Sequence, residues 1–137
     1  MRTRCMVRSL IILAAVAECG LVVGCGAVRW EYSYDKGMRQ AMKQQRRALV
    51  EFVSTVSLDC HEMDTKVFTS TEVARLMQRY VAVRLDMAVH RDLARQFNVQ
   101  TVPTFFVVRP DGQIMGSHVG KMDEEKFRAF LIKYAYN

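Results

Sequence analysis

The residues best suited to chemistry lie close together in the segment Ser57–Met63, which contains Cys60 and His61. A cysteine thiolate is the nucleophile of thiol–disulfide exchange, so Cys60 is the first candidate for a reactive group. Thiolate, imidazole and thioether groups also suit Cu(I), and Cys60, His61 and Met63 therefore make copper binding one hypothesis. Adjacent positions of a helix point in different directions, however. We expect His61 to face solvent and Met63 to pack in the core, with no metal bound.

The other three cysteines lie near the N-terminus, in a pattern typical of an export signal. Residues 1–8 carry three arginines and no acid, and the apolar stretch Leu10–Gly24 follows, interrupted by Glu18. This stretch is marginal as a membrane span, because a spanning helix needs about 20 apolar residues. The motif Val-Val-Gly directly before Cys25 resembles the lipobox of bacterial lipoproteins. That resemblance implies cleavage before Cys25 and acylation of its thiol, which anchors the protein to a membrane. An uncleaved anchor helix and an ordinary signal cut elsewhere are the alternatives.

Cleavage before Cys25 leaves Cys60 as the one free thiol, since Cys5 and Cys19 leave with the signal. An exported domain with one thiol cannot form an internal disulfide, so its stability must come from its core. Removal of the signal takes away three arginines and one glutamate, which lowers the formal net charge from +6 to +4. Because the remaining basic residues are spread along the sequence, we expect no nucleic-acid surface. The lipoprotein resemblance places the chain in the cell envelope, on the periplasmic side, and Gly26 after the lipobox favours the outer membrane.

Hydrophobic periodicity and helix caps predict an alternation of helices and strands. The predicted elements are a helix over Asp35–Arg47, a strand over Ala48–Val53, a helix that Ser57 caps, a helix that begins within Thr69–Glu72, a strand over Tyr80–Met87, a helix over Arg91–Phe97, strands over Thr104–Val108 and Gln113–Val119, and a helix over Asp123–Tyr134 that Asp123 caps. The turn Asp111-Gly112 predicts a hairpin between the last two strands. Strands joined through helices imply parallel pairing, so the fold class is α/β with an antiparallel edge. Met38, Met42 and Met77 are expected to face the core.

Several residues also fall into the order and spacing of a known family. They are Trp30 before the first helix, Leu49–Phe52 in the first strand, the turn Val102-Pro103-Thr104, the pair Asp111-Gly112, and Gly120. This pattern extends from Trp30 to Tyr134 and resembles the thioredoxin-like branch of exported and envelope proteins. The resemblance implies a central mixed sheet with a C-terminal antiparallel hairpin, flanked by helices. We accordingly divide the chain into a signal peptide over 1–24, a linker and N-terminal segment over 25–34, and a thioredoxin-like domain over 35–137.

The chain departs from this family at the redox motif. Family members carry cysteines five and eight residues after the phenylalanine of the strand, and in this chain those distances from Phe52 lead to Ser57 and Cys60. Phe68, eight residues beyond Cys60, supports this register. A dithiol oxidoreductase needs one thiol to attack and a second to resolve the mixed disulfide, and a serine hydroxyl cannot attack near neutral pH. Cys60 is then either a buried core residue or a monothiol that forms a mixed disulfide with a partner.

The resemblance also implies roles for Pro103 and Glu51. The family's proline follows a cis peptide bond, faces the redox motif and lets the backbone before it pair with an extended substrate. Val102, Pro103 and Thr104 are therefore the predicted substrate-binding residues. Glu51 stands where the family carries a buried acid that relays protons. Burial raises the pKa of a carboxyl group because it disfavours the charged form. The alternative interpretation places Glu51 in solvent at the edge of the sheet.

These observations favour a binding function. The first hypothesis is an envelope lipoprotein that binds a protein or peptide partner near Ser57, Cys60 and Pro103. The predicted catalytic positions are Cys60, the degenerate position Ser57, and Glu51. The alternative is a monothiol thiol–disulfide oxidoreductase that uses Cys60, and a copper chaperone is a third hypothesis. No cofactor is implied.

Overall fold

A five-stranded sheet and the helices around it make up residues 27–135, which the computed structural model describes. The strands are β1 (Trp30–Glu31), β2 (Ala48–Val53), β3 (Val81–Asp86), β4 (Thr104–Val108) and β5 (Ile114–Val119). The helices are α1 (Tyr34–Gln44), α2 (Leu58–Glu62), α3 (Thr71–Met77), α4 (Arg91–Gln96) and α5 (Glu124–Ala135), and a π-helical turn over Met63–Val67 continues α2. The predicted order of elements is confirmed except for β1, which the sequence analysis did not predict.

The strands pair in the order β1-β3-β2-β4-β5. β1, β3 and β2 run parallel, whereas β4 runs antiparallel to both β2 and β5. At one end of the sheet, which we call the upper end, Thr104 pairs with Phe52 and with Val119. At the opposite, lower end, Ala48 pairs with Val81 and with Val108. The predicted parallel pairing and the final antiparallel hairpin are confirmed.

Helices cover both faces of the sheet because its strands are apolar on both faces. The face that carries α2, α3 and α5 has a core that includes Leu49, Met63, Met77, Phe105, Phe127 and Leu131. The face that carries α1 and α4 has a core that includes Ala41, Val50, Phe52, Ala94 and Phe106. The prediction that Met38 and Met77 face the core is confirmed. The prediction for Met42 is wrong, because α1 turns Ala41 toward the sheet and leaves its neighbour Met42 exposed.

Side-chain caps determine where two of the helices begin. The hydroxyl of Ser57 caps α2, and the carboxylate of Asp123 accepts a hydrogen bond of 2.8 Å from the N–H of Lys126 at the start of α5. Both predicted caps are confirmed. Helix α1 ends earlier than predicted, at Gln44, because Gln45 adopts a left-handed conformation with φ of 51° that stops the helix.

Crossing a bilayer takes a longer and more apolar helix than any found within residues 27–135. The predicted signal over residues 1–24 and the predicted lipidation of Cys25 lie outside the described residues. Both stay predictions.

Candidate functional site

Ser57 lies in the loop that leaves β2 at the upper end of the sheet. Its backbone is extended, with φ of −84° and ψ of 119°, and its Oγ accepts a hydrogen bond of 3.2 Å from the N–H of Cys60. This is the geometry of a helix N-cap, in which a side-chain oxygen satisfies an N–H of the first turn. The hydroxyl of Ser57 is therefore engaged in starting α2.

Cys60 lies in the first turn of α2 and is buried, with 5% of its surface exposed. It is the one cysteine within residues 27–135, and its thiol is free. This burial agrees with the interpretation of Cys60 as a small core residue, and the choice between that role and a monothiol stays a prediction. A mixed disulfide with a partner protein would require the side chain to become more exposed than it is here.

A group of charged side chains lies on the exposed face of α2 beside Cys60. Lys121, which directly follows Gly120 after β5, approaches Asp59 at 3.2 Å and Glu62 at 2.5 Å. Hydrogen bonds from Lys121 and Lys66 lower the pKa of Glu62 to about 2. These exposed ion pairs hold the loop after β5 close to the start of α2, and each contributes little to stability because solvent screens it.

Pro103 lies directly before β4, and the bond between Val102 and Pro103 is cis, as predicted. Pro103 is buried, and its C=O accepts a hydrogen bond of 2.8 Å from the N–H of Gly120. The hydroxyl of Thr104 donates to the C=O of Thr101 at 2.7 Å. Within residues 27–135, neither the N–H nor the C=O of Val102 has a hydrogen-bond partner. The three predicted binding residues therefore lie together at the upper end, with one unpaired donor and one unpaired acceptor.

Exposed apolar side chains surround this part of the molecule. The most exposed are Val56 (88%) and Leu58 (84%) after β2, Val89 (75%) after β3, and Val119 (64%) at the end of β5. Each lies at or beyond the end of a strand that terminates at the upper end, where the Val102–Pro103 turn also lies. Val56 and Leu58 follow β2 and Val119 ends β5, the two strands that neighbour β4. The sequence analysis did not identify these four residues. Val56, an apolar residue in the loop just before the Ser57 cap, was the one that the sequence could have shown to be exposed.

Glu51 is fully buried in β2, beside Arg84 of β3. The Nε of Arg84 donates to Oε2 of Glu51 at 2.7 Å, and its Nη2 donates to Oδ1 of Asp64 at 2.7 Å. Burial raises the pKa of Glu51 to about 7, although the charge and hydrogen bond of Arg84 act in the opposite direction. Within the described residues Oε1 of Glu51 has no hydrogen-bond partner, which adds to the cost of ionisation. The predicted burial and raised pKa are confirmed, and the partner Arg84 is a residue that the sequence analysis did not identify.

Aromatic rings hold Arg84 in place. The guanidinium carbon lies 4.2 Å from the centre of the Trp30 ring and 5.1 Å from that of Phe68, within the range of cation–π attraction. The two rings contact each other edge to face, with centres 5.2 Å apart. Trp30 and Phe68 thus enclose the ionic group that Glu51 and Arg84 form.

The three residues of the copper hypothesis lie in different environments. His61 is exposed and Met63 is buried in the core, as expected. The sulfur of Met63 accepts a hydrogen bond of 3.3 Å from the N–H of Met122. Cys60, His61 and Met63 therefore present no common set of ligands in this conformation.

Comparison with known proteins agrees with the fold. The chain is 34% identical over 61 residues to the mitochondrial thioredoxin of Mus musculus, a match over 44% of this chain and 36% of that protein. The chain thus spans about a third of the length of the curated relatives it matches. A solved thioredoxin from Thermus thermophilus superposes with a TM-score of 0.73 at 26% identity, covering 81% of this chain and 89% of that one.

A second solved structure shares the fold alone. The reduced C-terminal domain of DsbD from Neisseria meningitidis superposes with a TM-score of 0.64 at 21% identity, covering 72% of this chain and 91% of that domain. The sequence model of the thioredoxin-like domain matches residues 34–135, which include α1, every strand from β2 onward and the Val102–Pro103 turn. This protein belongs to the thioredoxin-like domain family.

Proposed function

We propose that this protein is a lipid-anchored thioredoxin-like protein of the cell envelope that binds an extended segment of a partner protein at the upper end of its sheet. In this proposal Ser57 and Cys60 stand in place of the family's two redox cysteines. The partner lies along the Val102–Pro103 turn. The protein recognises the partner without the dithiol exchange that two cysteines would permit.

The unpaired backbone of Val102 is the observation that carries this proposal. A residue whose N–H and C=O are both unpaired can bond an extended chain as a neighbouring strand would, and Val102 is half-buried rather than enclosed. The C=O of Pro103, the next residue, is already bonded to the N–H of Gly120 at 2.8 Å, so the free backbone groups of the turn are those of Val102. Backbone pairing recognises an extended chain whatever its sequence.

The exposed apolar side chains supply the second part of a binding surface. Val56 and Leu58 precede and begin α2, while Val119 ends β5, so they lie on two sides of the turn. Burying an apolar side chain of this size contributes roughly 1.5–3 kcal/mol. Several such side chains around one pair of backbone groups favour a partner with apolar residues on its extended segment.

Site-specific photo-crosslinking tests this binding function. A photoreactive amino acid replaces Val119 at the upper end or, as a matched exposed control, Met42 on α1. We expect adducts with envelope proteins from position 119 and none from position 42, and we expect Leu58→Glu to abolish them because it places a charge in the apolar surface. Equal adducts from both positions, or adducts that survive Leu58→Glu, would refute the proposal.

Cys60 supports a second candidate function, because its thiol is free and lies in the first turn of the helix at the upper end. As a monothiol, the Cys60 thiolate would attack a disulfide of the partner, form a mixed disulfide and release one partner thiolate. The burial of Cys60 favours the binding function over this one. Insulin reduction that is lost in Cys60→Ser would support the monothiol enzyme, and the absence of turnover in the wild-type chain would exclude it.

The anchor is proposed from the sequence around Cys25. Radiolabelled palmitate should enter the wild-type chain in a host that labels a control lipoprotein, and it should not enter Cys25→Ser. Failure to label the wild-type chain would remove the lipid anchor from the proposal while leaving the binding surface to its own test.

A further inference from the structure

The lower end of the sheet carries a cluster of arginines that the proposed binding function does not use. Its members are Arg29 directly before β1, Arg46 and Arg47 directly before β2, Arg79 shortly before β3, and Arg109 directly after β4. Strands β1, β2 and β3 begin at the lower end and β4 ends there, so the fold brings together arginines that are far apart in the sequence. Basic residues that are spread along the sequence therefore meet at one end of the fold.

Two adjoining clefts open among these arginines. A cleft of about 740 Å³ is lined by Arg46, Arg47, Arg79 and Arg109. A second cleft of about 770 Å³ is lined by Arg29, by Arg46 and by Ala27, the first described residue. Because Arg46 and Tyr80 line both clefts, the basic surface is continuous from the N-terminal segment to the end of β4.

The charged residues that line the two clefts are five arginines and one glutamate. Glu31 lines the second cleft, and Asp111 lies 3.1 Å from the guanidinium of Arg109. Arg46 and Arg47 donate to the backbone carbonyls of Gln78 and Tyr134, so they also hold the surface together. Arg29, Arg79 and Arg109 are exposed. Among the described residues, the lining of the two clefts therefore carries an excess of positive charge.

Cys25, the proposed site of lipidation, lies close in the sequence to the residues that line the second cleft. Cys25 precedes Ala27 by two residues, and two residues of extended chain reach at most about 7 Å. A lipid on Cys25 would therefore hold the second cleft within roughly one nanometre of the headgroups. The length of chain between the anchor and the domain is too short to turn the lower end away from the membrane.

We propose that the arginine cluster at the lower end docks on anionic phospholipid headgroups and fixes the orientation of the domain on its membrane. This inference rests on the lipid anchor of the proposed function. Guanidinium groups form paired hydrogen bonds with phosphate oxygens, and anionic membranes attract basic clusters next to an anchor. The six residues of β3 extend for about 20 Å from the lower to the upper end. Docking therefore turns Val102 and the apolar side chains away from the membrane, where a partner protein can reach them.

Hydrogen–deuterium exchange of the full chain tests the docking. The chain is purified from a host that acylates lipoproteins and is placed in vesicles of phosphatidylcholine alone or mixed with phosphatidylglycerol. We expect amides at residues 44–47, 78–81 and 109–113 to be protected only in the anionic vesicles, and high salt to remove the protection. Amides around Leu58 and Val102 should exchange equally in both vesicles.

Matched variants connect the protection to the arginines. Arg29→Gln with Arg79→Gln should lower the ratio of docked to undocked domain by about 30-fold, because each basic residue near an anionic surface contributes to the attraction. The control, Arg91→Gln with Arg95→Gln, removes the same charge from exposed positions on α4 and should leave the protection unchanged. An equal loss of protection in both variants would show that the net charge of the protein, and not the arginines of the lower end, causes the binding, and it would overturn the proposal.

The remaining outcomes separate the docking from the anchor. The mass of the purified chain reports the acyl groups directly, so an acylated chain without lower-end protection overturns the docking alone. Protection in a chain that carries no acyl group overturns the anchor and leaves the docking in place. Equal protection by glycerol phosphate in solution, or by single-stranded DNA, would assign the clefts to a different ligand and refute membrane docking.

Discussion

Glu51 should make the stability of this protein depend on pH, and Glu51→Gln should remove that dependence. The pKa of Glu51 is raised from 4.5 to about 7 by burial in β2. The folded state therefore keeps a proton between these values that the unfolded state loses, so the contribution of Glu51 to stability is fully present below about pH 4.5 and is lost as the pH rises to about 7. The charged groups that face Glu51 are Arg84, which lowers its pKa, and Asp64, which raises it.

The size of this effect follows from the same shift. One pKa unit corresponds to about 1.4 kcal/mol, so a rise from 4.5 to about 7 corresponds to about 3 kcal/mol between the two ends of the range. Glutamine at position 51 has nearly the same shape and does not titrate. Any change in the free energy of unfolding that the glutamine itself causes is the same at every pH. The pH-dependent part of the difference between the two proteins therefore reports the ionisation of Glu51.

Urea unfolding at several pH values between 4.5 and 8 measures this difference. Trp30 is the only tryptophan of the chain and lies against Arg84, so its fluorescence reports on this part of the core. As the pH rises, the free energy of unfolding of Glu51→Gln should increase relative to that of the wild-type protein by about 3 kcal/mol. Glu125→Gln, a change at an exposed position on α5, serves as the control. A free-energy gap between wild type and Glu51→Gln that stays constant with pH would refute the reasoning.

Three further substitutions test the fold, each by urea unfolding. Ser57→Ala should lower the free energy of unfolding by about 1 kcal/mol because it removes the cap of α2, and an equal loss in Ser57→Asp, which can still cap, would contradict this. Phe127→Ala should cost about 3–5 kcal/mol because the ring is fully buried, and a loss under 1 kcal/mol would contradict its place in the core. Gly37→Ala should cost about 1–3 kcal/mol, because the new Cβ would lie 2.3 Å from Cγ2 of Val83. Val83→Ala should recover part of that loss, and strictly additive costs would show that the two positions do not clash.

Local signals in the sequence predicted most of the fold. The cap at Ser57, the alternation in β3 and the Asp-Gly turn each involve residues within a few positions of one another, so no knowledge of the tertiary structure was needed. β1 lacks such a signal, because its two residues pair only with β3, some 50 positions away. The exposure of Met42 was missed for a related reason, since the direction in which α1 faces the sheet depends on its packing.

The site was predicted less completely, because its partners are distant in the sequence. Glu51 could be identified as a buried acid from its place in an apolar strand, but Arg84 becomes its partner only through the parallel register of β2 and β3. The unpaired backbone of Val102 likewise depends on where β4 begins to pair. The arginines of the lower end are likewise spread along the sequence, and only the strand order places Arg29 and Arg109 at one end.

The N-cap explains how a binding site of this family could persist without an attacking thiol. The first turn of a helix needs an acceptor for its free N–H groups, and a serine hydroxyl is a good one whereas a thiol is a weak one. Ser57 fills this need through the N–H of Cys60 at 3.2 Å. Ser57 therefore fixes the start of α2, and Leu58, the exposed residue next to it, begins that helix at the upper end. In the proposed function, loss of thiol reactivity and retention of the binding surface follow from the same serine.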